Sequence, residues 1–542
     1  MTWWIIIAIT ISLITGIIIG NIISGRSFGR KLFLTANNKI SVILDIINED
    51  YVDPVNMKDI TEGAIRNIVS ELDPHSIYIP DSDLPGINDD MDGYFGGLGV
   101  DHVVYKDTIV VMNLMHGGPA SQAGLLPGDR IITVNDSVFT GPDITEEKIM
   151  KTLRGPVGSM VKLGIRRDFS DPLIEFTIKR SEILITTVKA AYEVEKGIGF
   201  IKIYDKFSHT TYDEFVQAMT KLVSIGCTSF IIDLRANSGG SYEAAIKIIN
   251  EFLPAGRMIV YSEGKSFPRI ESISDGSGNL PYNQVVILMD QMSASASEIV
   301  AGAIQDNDRG LIIGRHSFGK GLVQKQIALS DGSAVRLTIA RYYTPAGRNI
   351  QRKYELGQSV AYNQDWLNRF TNGESFYEDR IKIDTTEVYK TVHGRTVYGN
   401  GGIIPDIFIP VDTVQLSNYY MNLEKKGIFN RFAIEYSDKH RNILSQFKDY
   451  PSMLAYLKTR LMLEDIVRYG EENGVKKRTH QIYRSANQIL NTTYACILSN
   501  FFGDTAFYRV YLNNDPVIAR AVQAIQKGEA YPQAVADMKY KN

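Results

Sequence analysis

The chain of 542 residues is too long for one compact core and has room for roughly three or four ordinary domains. Hydrophobic residues make up 44% and charged residues 22%, a globular balance that excludes collagen-like, mucin-like and wholly disordered proteins. The net charge of −3 shows no basic excess, so we expect no nucleic acid partner. With only Cys227 and Cys496, a disulfide framework and a cysteine-rich zinc site are excluded, although one bridge stays open.

The N-terminal segment, residues 1–25, has no charged side chain and is almost entirely apolar from residue 3 to residue 23. A helix of that length rises about 31 Å, enough to cross a bilayer core. No A-x-A cleavage site follows, so we interpret the segment as an uncleaved transmembrane anchor rather than a cleaved signal. Arg26, Arg30 and Lys31 follow it, and the positive-inside rule alone would place the bulk of the chain in the cytoplasm.

Residues 35–85 are predicted to be helical. Isoleucines and valine recur at helical spacing between Ile40 and Ile47, and a second helix is expected from about Ile60 to Leu72. The Asp73-Pro74 pair ends it, because the residue before proline avoids the helical region.

Residues 86–182 read as a β-rich module with short β-branched runs and many glycines. The glycine-rich turn Phe95–Val100 exposes backbone N–H groups that can hold a carboxylate. The segment Gly117–Asn135 closely resembles the core of a PDZ domain. That resemblance implies capture of a peptide C-terminus by strand addition; the residues expected to bind it are Gly97, Leu98, Gly99 and Val100. A PDZ fold used only as a structural hinge is the alternative.

Strands and helices alternate from about residue 183 to residue 414, which predicts an α/β core. The apolar strand Phe230–Leu234 runs into Arg235–Gly240 and then into a helix near Ser241. Glycines at such a turn let backbone N–H groups approach a ligand closely, although a plain connecting turn would have the same pattern.

Three serines, Ser293, Ser295 and Ser297, follow the buried strand Val285–Met289 and precede a helical pattern. A serine at a helix start can expose its hydroxyl beside N–H groups suited to an oxyanion, or it can simply cap the helix. One serine is enough for a cap, so the cluster favours a nucleophile without choosing among the three.

Lys320 lies between two glycines after a third short strand, Leu311–Gly314. Among apolar neighbours a lysine loses solvent, which lowers its pKa and allows the neutral amine to act as a general base. Gln324 lies four positions on, on the same face of a strand or helix, and its amide could orient that amine. An exposed lysine near a glutamine in a strand ladder is the alternative.

Histidine and metal chemistry have weaker support. Only His316 of the eight histidines lies in a motif-like segment, and no Gly-x-Ser-x-Gly turn surrounds the serines, which disfavours a Ser-His-Asp triad. No H-E-x-x-H pair or other compact ligand spacing occurs, so we expect no metal and no other cofactor.

Together these motifs resemble those of the C-terminal processing (tail-specific) proteases, the S41 serine peptidases. The resemblance covers roughly residues 38–411, with segments in the expected order: Tyr51–Pro54, Leu72–Ser76, the PDZ core, Leu234–Gly240, Ser293–Ile299, Phe318–Gly321, Tyr342–Arg348 and Gly401–Asp406. It implies an α/β core of the crotonase/ClpP-like type with an inserted PDZ domain. The expected domains are an anchor or signal at 1–25, a helical region at 35–85, a PDZ domain at 86–182, a protease core at 183–414 and a helical extension at 415–542.

The resemblance also implies site roles. Ser295 matches the nucleophile, Lys320 the general base and Gln324 the residue that positions the lysine. Backbone N–H groups of Ala296 and of the Gly239 region match the oxyanion hole.

The expected function is that of a serine endopeptidase that cleaves proteins near apolar C-termini held by the PDZ domain. Family members are usually exported, which implies a bacterial envelope location with an inner-membrane anchor and a periplasmic catalytic part. This location conflicts with the charge rule above. A catalytically inactive PDZ adaptor and a crotonase-type acyl-CoA enzyme are the alternative functions. A homo-oligomer or a separate adaptor stays open, as does the role of residues 415–542 as a dimerisation arm or a partner-binding bundle.

Overall fold

A computed structural model describes residue 15 and residues 39–115, 117–167, 172–412 and 416–530. The predicted membrane segment therefore lies outside the described residues, apart from residue 15. Within the described ranges, no helix is both long and apolar enough to cross a bilayer. Cys227 and Cys496 are both buried and free, so the bridge left open by the sequence does not form.

The N-terminal region contains α1 (Lys39–Asp50), α2 (Met57–Ser70) and β1 (Ile77–Ile79). Helix α2 begins at Met57 rather than near Ile60, because the Asn56 side chain caps it by accepting the Lys58 N–H at 3.0 Å. The Asp73-Pro74 turn follows, and β1 then pairs antiparallel with β20 (Ala334–Tyr343). This pairing brings the Asp73-Pro74 turn next to the α/β core.

The β-rich module follows α3 (Leu84–Asp92). Its elements are β2 (Tyr94–Gly97), β3 (Val100–Tyr105), β4 (Thr108–Leu114), α4 (Pro119–Ala123), β5 (Arg130–Val134), β6 (Ser137–Val138), α5 (Glu146–Leu153), β7 (Met160–Arg166), β8 (Ile174–Lys179) and β9 (Ser181–Leu184). The antiparallel sheet has the order β3-β4-β5-β7-β8, with β6 on β5, so β3 is an outer strand. Strands β2 and β9 pair with each other, so the module enters and leaves through one two-stranded connection.

The core has the alternation that the sequence predicts. Its elements are β10 (Val188–Glu195), β11 (Ile198–Ile203), β12 (Asp205–Phe207), α6 (Thr211–Ser224), β13 (Ser229–Asp233), β14 (Asn237–Gly240), α7 (Tyr242–Asn250), β15 (Met258–Gly264), β16 (Phe267–Ile273), β17 (Gln284–Met289), α8 (Ala296–Asp306), β18 (Leu311–Gly314), β19 (Leu322–Ala328) and β20. After these come α9 (Ser359–Thr371), a 3₁₀ turn (Glu378–Arg380), β21 (Val388–Lys390), β22 (Thr396–Tyr398) and β23 (Ile407–Phe408).

The central sheet has the order β10-β11-β13-β17-β18-β23 and is parallel except for β10. Successive side chains of a strand point to opposite faces, so Phe230 and Ile232 pack with α6, α7 and α8, whereas Ile231 faces the other way. Both faces are buried, which explains the continuous apolar runs in the sequence. A second, antiparallel sheet, β1-β20-β15-β16 with β19 on β20, lies beside it.

The C-terminal extension is helical, as predicted. It contains α10 (Asn418–Lys425), α11 (Ile428–Lys439), α12 (Arg441–Leu444), α13 (Tyr450–Lys458), α14 (Met462–Glu472), α15 (Thr479–Arg484), α16 (Ala486–Tyr511) and α17 (Pro516–Gln526). Asp515 caps α17 by accepting the N–H groups of Val517 and Ile518. The apolar face of α17 covers the second face of the central sheet, in one buried cluster with Ile231, Val286 and Leu288. Helix α17 is thus a layer of the α/β core.

Candidate active site

The serine cluster forms the turn between β17 and α8, and its three hydroxyls have different environments. The Ser293 hydroxyl is buried and donates to the Leu234 carbonyl at 2.8 Å, and the buried Ser297 hydroxyl donates to Asn237 Oδ1 at 2.9 Å. Ser295, by contrast, is only partly buried and lines a cavity. Its backbone has φ +53° and ψ −114°, a conformation that costs energy for a residue other than glycine and recurs at functional sites. The fold therefore presents the middle serine.

Lys320 and Gln324 meet across the start of β19. Lys320 Nζ donates to Gln324 Oε1 at 2.8 Å. Burial lowers the pKa of Lys320 to about 8, with a further lowering from the Arg336 charge, while Asp73 and Glu298 oppose the shift. The lysine is thus partly withdrawn from solvent, as the sequence predicts, and a pKa near 8 leaves about a tenth of the amine neutral at pH 7.

A cavity of about 550 Å³ brings the predicted residues together; its lining includes Gly239, Ser295, Ala296, Lys320 and Gln324. Its apolar lining comes from Ile299, Leu322 and Tyr342, among others. Among the described side chains no hydrogen bond joins Ser295 Oγ to Lys320 Nζ, and the amine donates to Gln324 instead. The serine and the lysine nevertheless face one space of a size suited to a peptide side chain and its carbonyl.

Glu298 joins the serine turn to the lysine loop, and its role was missed by the sequence reasoning. Its buried carboxylate accepts the N–H groups of Ser295 at 2.8 Å, of Gly319 at 2.7 Å and of Lys320 at 2.9 Å. Burial raises the pKa of Glu298, and these bonds, with one from the Ser317 hydroxyl, oppose the rise. The spacing Ser-x-x-Glu at a helix start was the available signal.

The two backbone N–H groups predicted to form the oxyanion hole, those of Gly239 and Ala296, have different environments. Gly239 lies against the serine turn with φ +95°, and a Cβ there would come within 2.6 Å of Ser295 Cβ, so only glycine fits. Its N–H, however, donates to Asn237 Oδ1 at 2.9 Å. The Ala296 N–H is one of the first N–H groups of α8, which have no partner within the helix. Gly239 as a donor stays a prediction that requires its N–H to exchange this bond.

The glycine-rich loop of the β-rich module is fixed by hydrogen bonds that its backbone carbonyl groups accept. The buried Leu98 accepts the Ala120 N–H at 2.9 Å, and Gly99, with φ +70°, accepts the Met115 N–H at 2.9 Å. The loop runs from Gly97, the last residue of β2, to Val100, the first of the outer strand β3. The geometry is therefore compatible with an added strand along β3.

Helix α3 connects this module to the catalytic cavity. Its residues Ile87 and Met91 line the cavity. Asp90 of α3 pairs with Lys206 of the core at 2.7 Å, and Asp89 pairs with Arg154 of the module at 3.4 Å. A movement of the module would thus be transmitted to one wall of the site.

Comparisons with known proteins identify the family. Family models match residues 197–359 as peptidase family S41, residues 89–166 as a PDZ domain, and residues 26–82 as the N-terminal domain of the activating protease CtpB. Residues 419–503 match a family of unknown function. The carboxy-terminal-processing protease of Bartonella bacilliformis is 34% identical over 57% of this chain and 71% of its own length. The carboxy-terminal processing protease CtpB of Bacillus subtilis is 31% identical over 64% of this chain and 72% of its own length.

The chain belongs to the S41 carboxy-terminal-processing proteases. The resemblance inferred from the motifs is confirmed, and with it the mixed α/β fold class and the expectation of a serine peptidase. Among solved structures, the photosystem II D1 C-terminal processing protease is 24% identical and covers 69% of this chain and 87% of its own, with a TM-score of 0.35.

Proposed function

We propose that this S41 peptidase cleaves peptide bonds with Ser295 as nucleophile and Lys320 as general base, oriented by Gln324. The observation that carries the proposal is the shared cavity: it is lined by the one serine of the cluster that is only partly buried and by an amine whose pKa is lowered to about 8. A serine hydroxyl needs such a base, because it is a weak nucleophile alone.

In this mechanism the neutral Lys320 amine takes the Ser295 proton as Oγ attacks the substrate carbonyl. The Ala296 N–H, at the positive end of α8, stabilises the developing oxyanion. Lys320 then gives the proton to the leaving amine, which departs and leaves an acyl-enzyme. Water, deprotonated by the same lysine, resolves the ester. Glu298 keeps the serine turn and the lysine loop at a fixed separation, through its bonds to the Ser295 and Lys320 N–H groups.

The PDZ module is the proposed site of tail capture. An apolar substrate tail adds along the outer strand β3, with its terminal carboxylate on the N–H groups of Leu98, Gly99 and Val100. Helix α3 contacts both the core and the PDZ module, through the pairs Asp90–Lys206 and Asp89–Arg154, and this supports a link between tail binding and the cavity. A shift of the module on tail binding would move α3 and so gate the cavity.

Tail capture is tested with two peptide substrates that differ only in their C-terminal group. One peptide carries a free terminal carboxylate and the other a carboxamide, with the same apolar tail and the same cleavage site. Hydrogen bonds to a charged group contribute about 1.5–3 kcal/mol, so we expect kcat/KM to fall at least about 10-fold for the amide. Equal kcat/KM values for the two peptides would contradict tail capture, and binding of an intact, uncleaved tail would instead indicate the adaptor.

A further inference from the structure

Helix α9 packs on the loop of the general base, although it begins at Ser359, where the match to the S41 family ends. The ring of Trp366 lies 5.8 Å from that of Phe318, and the ring of Tyr362 lies 6.5 Å from it. Phe318 is two residues before Lys320. A helix beyond the matched peptidase segment therefore forms part of the surroundings of the catalytic lysine.

A continuous series of hydrogen bonds leads from α9 to Lys320. Tyr362 OH is 3.1 Å from the His75 ring atom Nε2, and the His75 carbonyl accepts the Gln324 amide Nε2–H at 2.5 Å. Gln324 Oε1 in turn accepts from Lys320 Nζ at 2.8 Å. Since an amide whose nitrogen is bound to a carbonyl must present its oxygen at the other end, the His75 carbonyl fixes which atom of Gln324 faces the lysine.

The tyrosine hydroxyl has a second partner. Gln351 Nε2 donates to Tyr362 OH at 3.2 Å, which leaves the hydroxyl proton available for His75 Nε2. In that arrangement the imidazole is neutral, with its proton on Nδ1. Burial, together with the positive charges of Lys320 and Arg352 and against the opposing charge of Asp73, lowers the pKa of His75 to about 4, which agrees with a neutral ring.

The turn that carries His75 is held from its other side by the second sheet. The buried Asp73 carboxylate accepts the His75 N–H at 2.9 Å and the Thr338 hydroxyl at 3.0 Å. Thr338 of β20 is the register partner of Gln324 on β19. His75 is therefore held from two sides. Asp73, which is bonded to β20, binds its backbone N–H, and Tyr362 of α9 binds its ring.

The charged groups around Lys320 come from three elements. Arg336 of β20 lowers its pKa, whereas Asp73 of the N-terminal turn and Glu298 of α8 raise it. His75 adds no charge, because its ring is neutral. The contacts of Tyr362 and His75 can thus orient Gln324 without competing for the proton that Lys320 must take.

We propose that Tyr362 and His75 are positioning residues, which hold the Gln324 amide with its oxygen toward Lys320 and so make the catalytic competence of the lysine depend on α9. This inference rests on the proposed role of Lys320 as general base. It assigns to α9, which follows the matched peptidase segment, an indirect part in the reaction, through His75 and Gln324.

The test is Tyr362→Phe, which removes the hydroxyl and keeps the ring. We expect kcat to fall about 10-fold with KM within about twofold, because the Michaelis complex still forms but the base is misplaced. Tyr354→Phe is the matched control, since the Tyr354 ring packs on Tyr362 at 6.4 Å and its hydroxyl has no hydrogen-bond partner among the described residues. It should keep the wild-type kcat.

A double-mutant cycle with Gln324→Ala separates positioning from general destabilisation. If Tyr362 acts through Gln324, then Tyr362→Phe causes no further loss in the Gln324→Ala protein. An equal loss in both backgrounds, or wild-type kcat in the single Tyr362→Phe variant, would overturn the inference. Lys320→Ala, measured in parallel, separates failure of this inference from failure of the proposed function. Full activity of Lys320→Ala would contradict the role of Lys320 as general base. If Lys320→Ala is inactive and Tyr362→Phe is unaffected, only the role of α9 is contradicted.

If the activity of Gln324→Ala is too low to measure a further loss, the pH–rate profile of Tyr362→Phe tests the positioning role instead. The pKa of Lys320 is low mainly because the amine is buried, so a looser Gln324 that admits water should move the controlling pKa upward from about 8. A profile that superimposes on that of the wild type would overturn the inference.

Discussion

Replacing Ser295 with alanine should reduce kcat for a tail peptide by at least about 10⁴-fold, the scale seen when a serine nucleophile is removed. The Ser295 hydroxyl faces the cavity, whereas those of Ser293 and Ser297 are committed to backbone and side-chain acceptors. Tail binding should stay as in the wild type, and the free energy of unfolding should fall by no more than about 0.5–2 kcal/mol, because Ser295 is the N-cap of α8. Cleavage is measured by mass spectrometry of the peptide, and binding by fluorescence anisotropy.

Ser293→Ala is the control for that experiment. Ser293 lies two residues away in the same turn, but its hydroxyl donates to Leu234 and accepts the Asp290 N–H at 3.0 Å. Its loss should lower the free energy of unfolding by about 1–3 kcal/mol and leave most of the turnover. Full turnover by Ser295→Ala would place the nucleophile elsewhere.

The second large effect concerns the C-terminal extension. Ala521→Glu should lower the free energy of unfolding by about 4 kcal/mol or more, because it places an unpaired carboxylate against the central sheet. Ala521 is fully buried in the cluster that α17 forms with Val286, Leu288 and Ile313. Activity should fall with the folded fraction. Urea unfolding followed by circular dichroism measures the change.

Ala519→Glu provides the matched control, as the same substitution on the exposed side of the same helix. Its effect on the free energy of unfolding should stay within about 0.5 kcal/mol. If Ala521→Glu and Ala519→Glu unfolded at the same urea concentration, α17 would not be a layer of the core.

The sequence was most informative where chemistry is local. Ser295, Lys320 and Gln324 were singled out from short segments and family motifs, and the structure brings all three to one cavity. The limits of α17 were also predictable, because the Asp515-Pro516 start and Gly528 are local signals. The surface that α17 covers was not predictable, because the apolar face of a helix does not specify the sheet against which it packs.

The residues that the sequence reasoning missed act across long separations in the chain. Glu298 reaches the lysine loop 21 residues away, and the Tyr362 hydroxyl reaches the ring of His75 across 287 residues. Tyr342 donates to the carbonyls of Lys320 and Ser295, a role that its place in the motif Tyr342–Arg348 did not reveal. Side-chain to backbone contacts of this kind depend on tertiary packing, so periodicity and spacing do not reveal them.

The pH dependence of acylation tests the central claim most directly. Only neutral Lys320 can accept the Ser295 proton, so the single-turnover rate of acylation should be low below the lysine pKa, rise through it and level off above it. The account predicts one controlling pKa near 8, well below the value of about 10.4 for a free lysine. A rate that stays flat from neutral to alkaline pH would show that no group with this pKa takes the proton, and would contradict a lysine-activated serine.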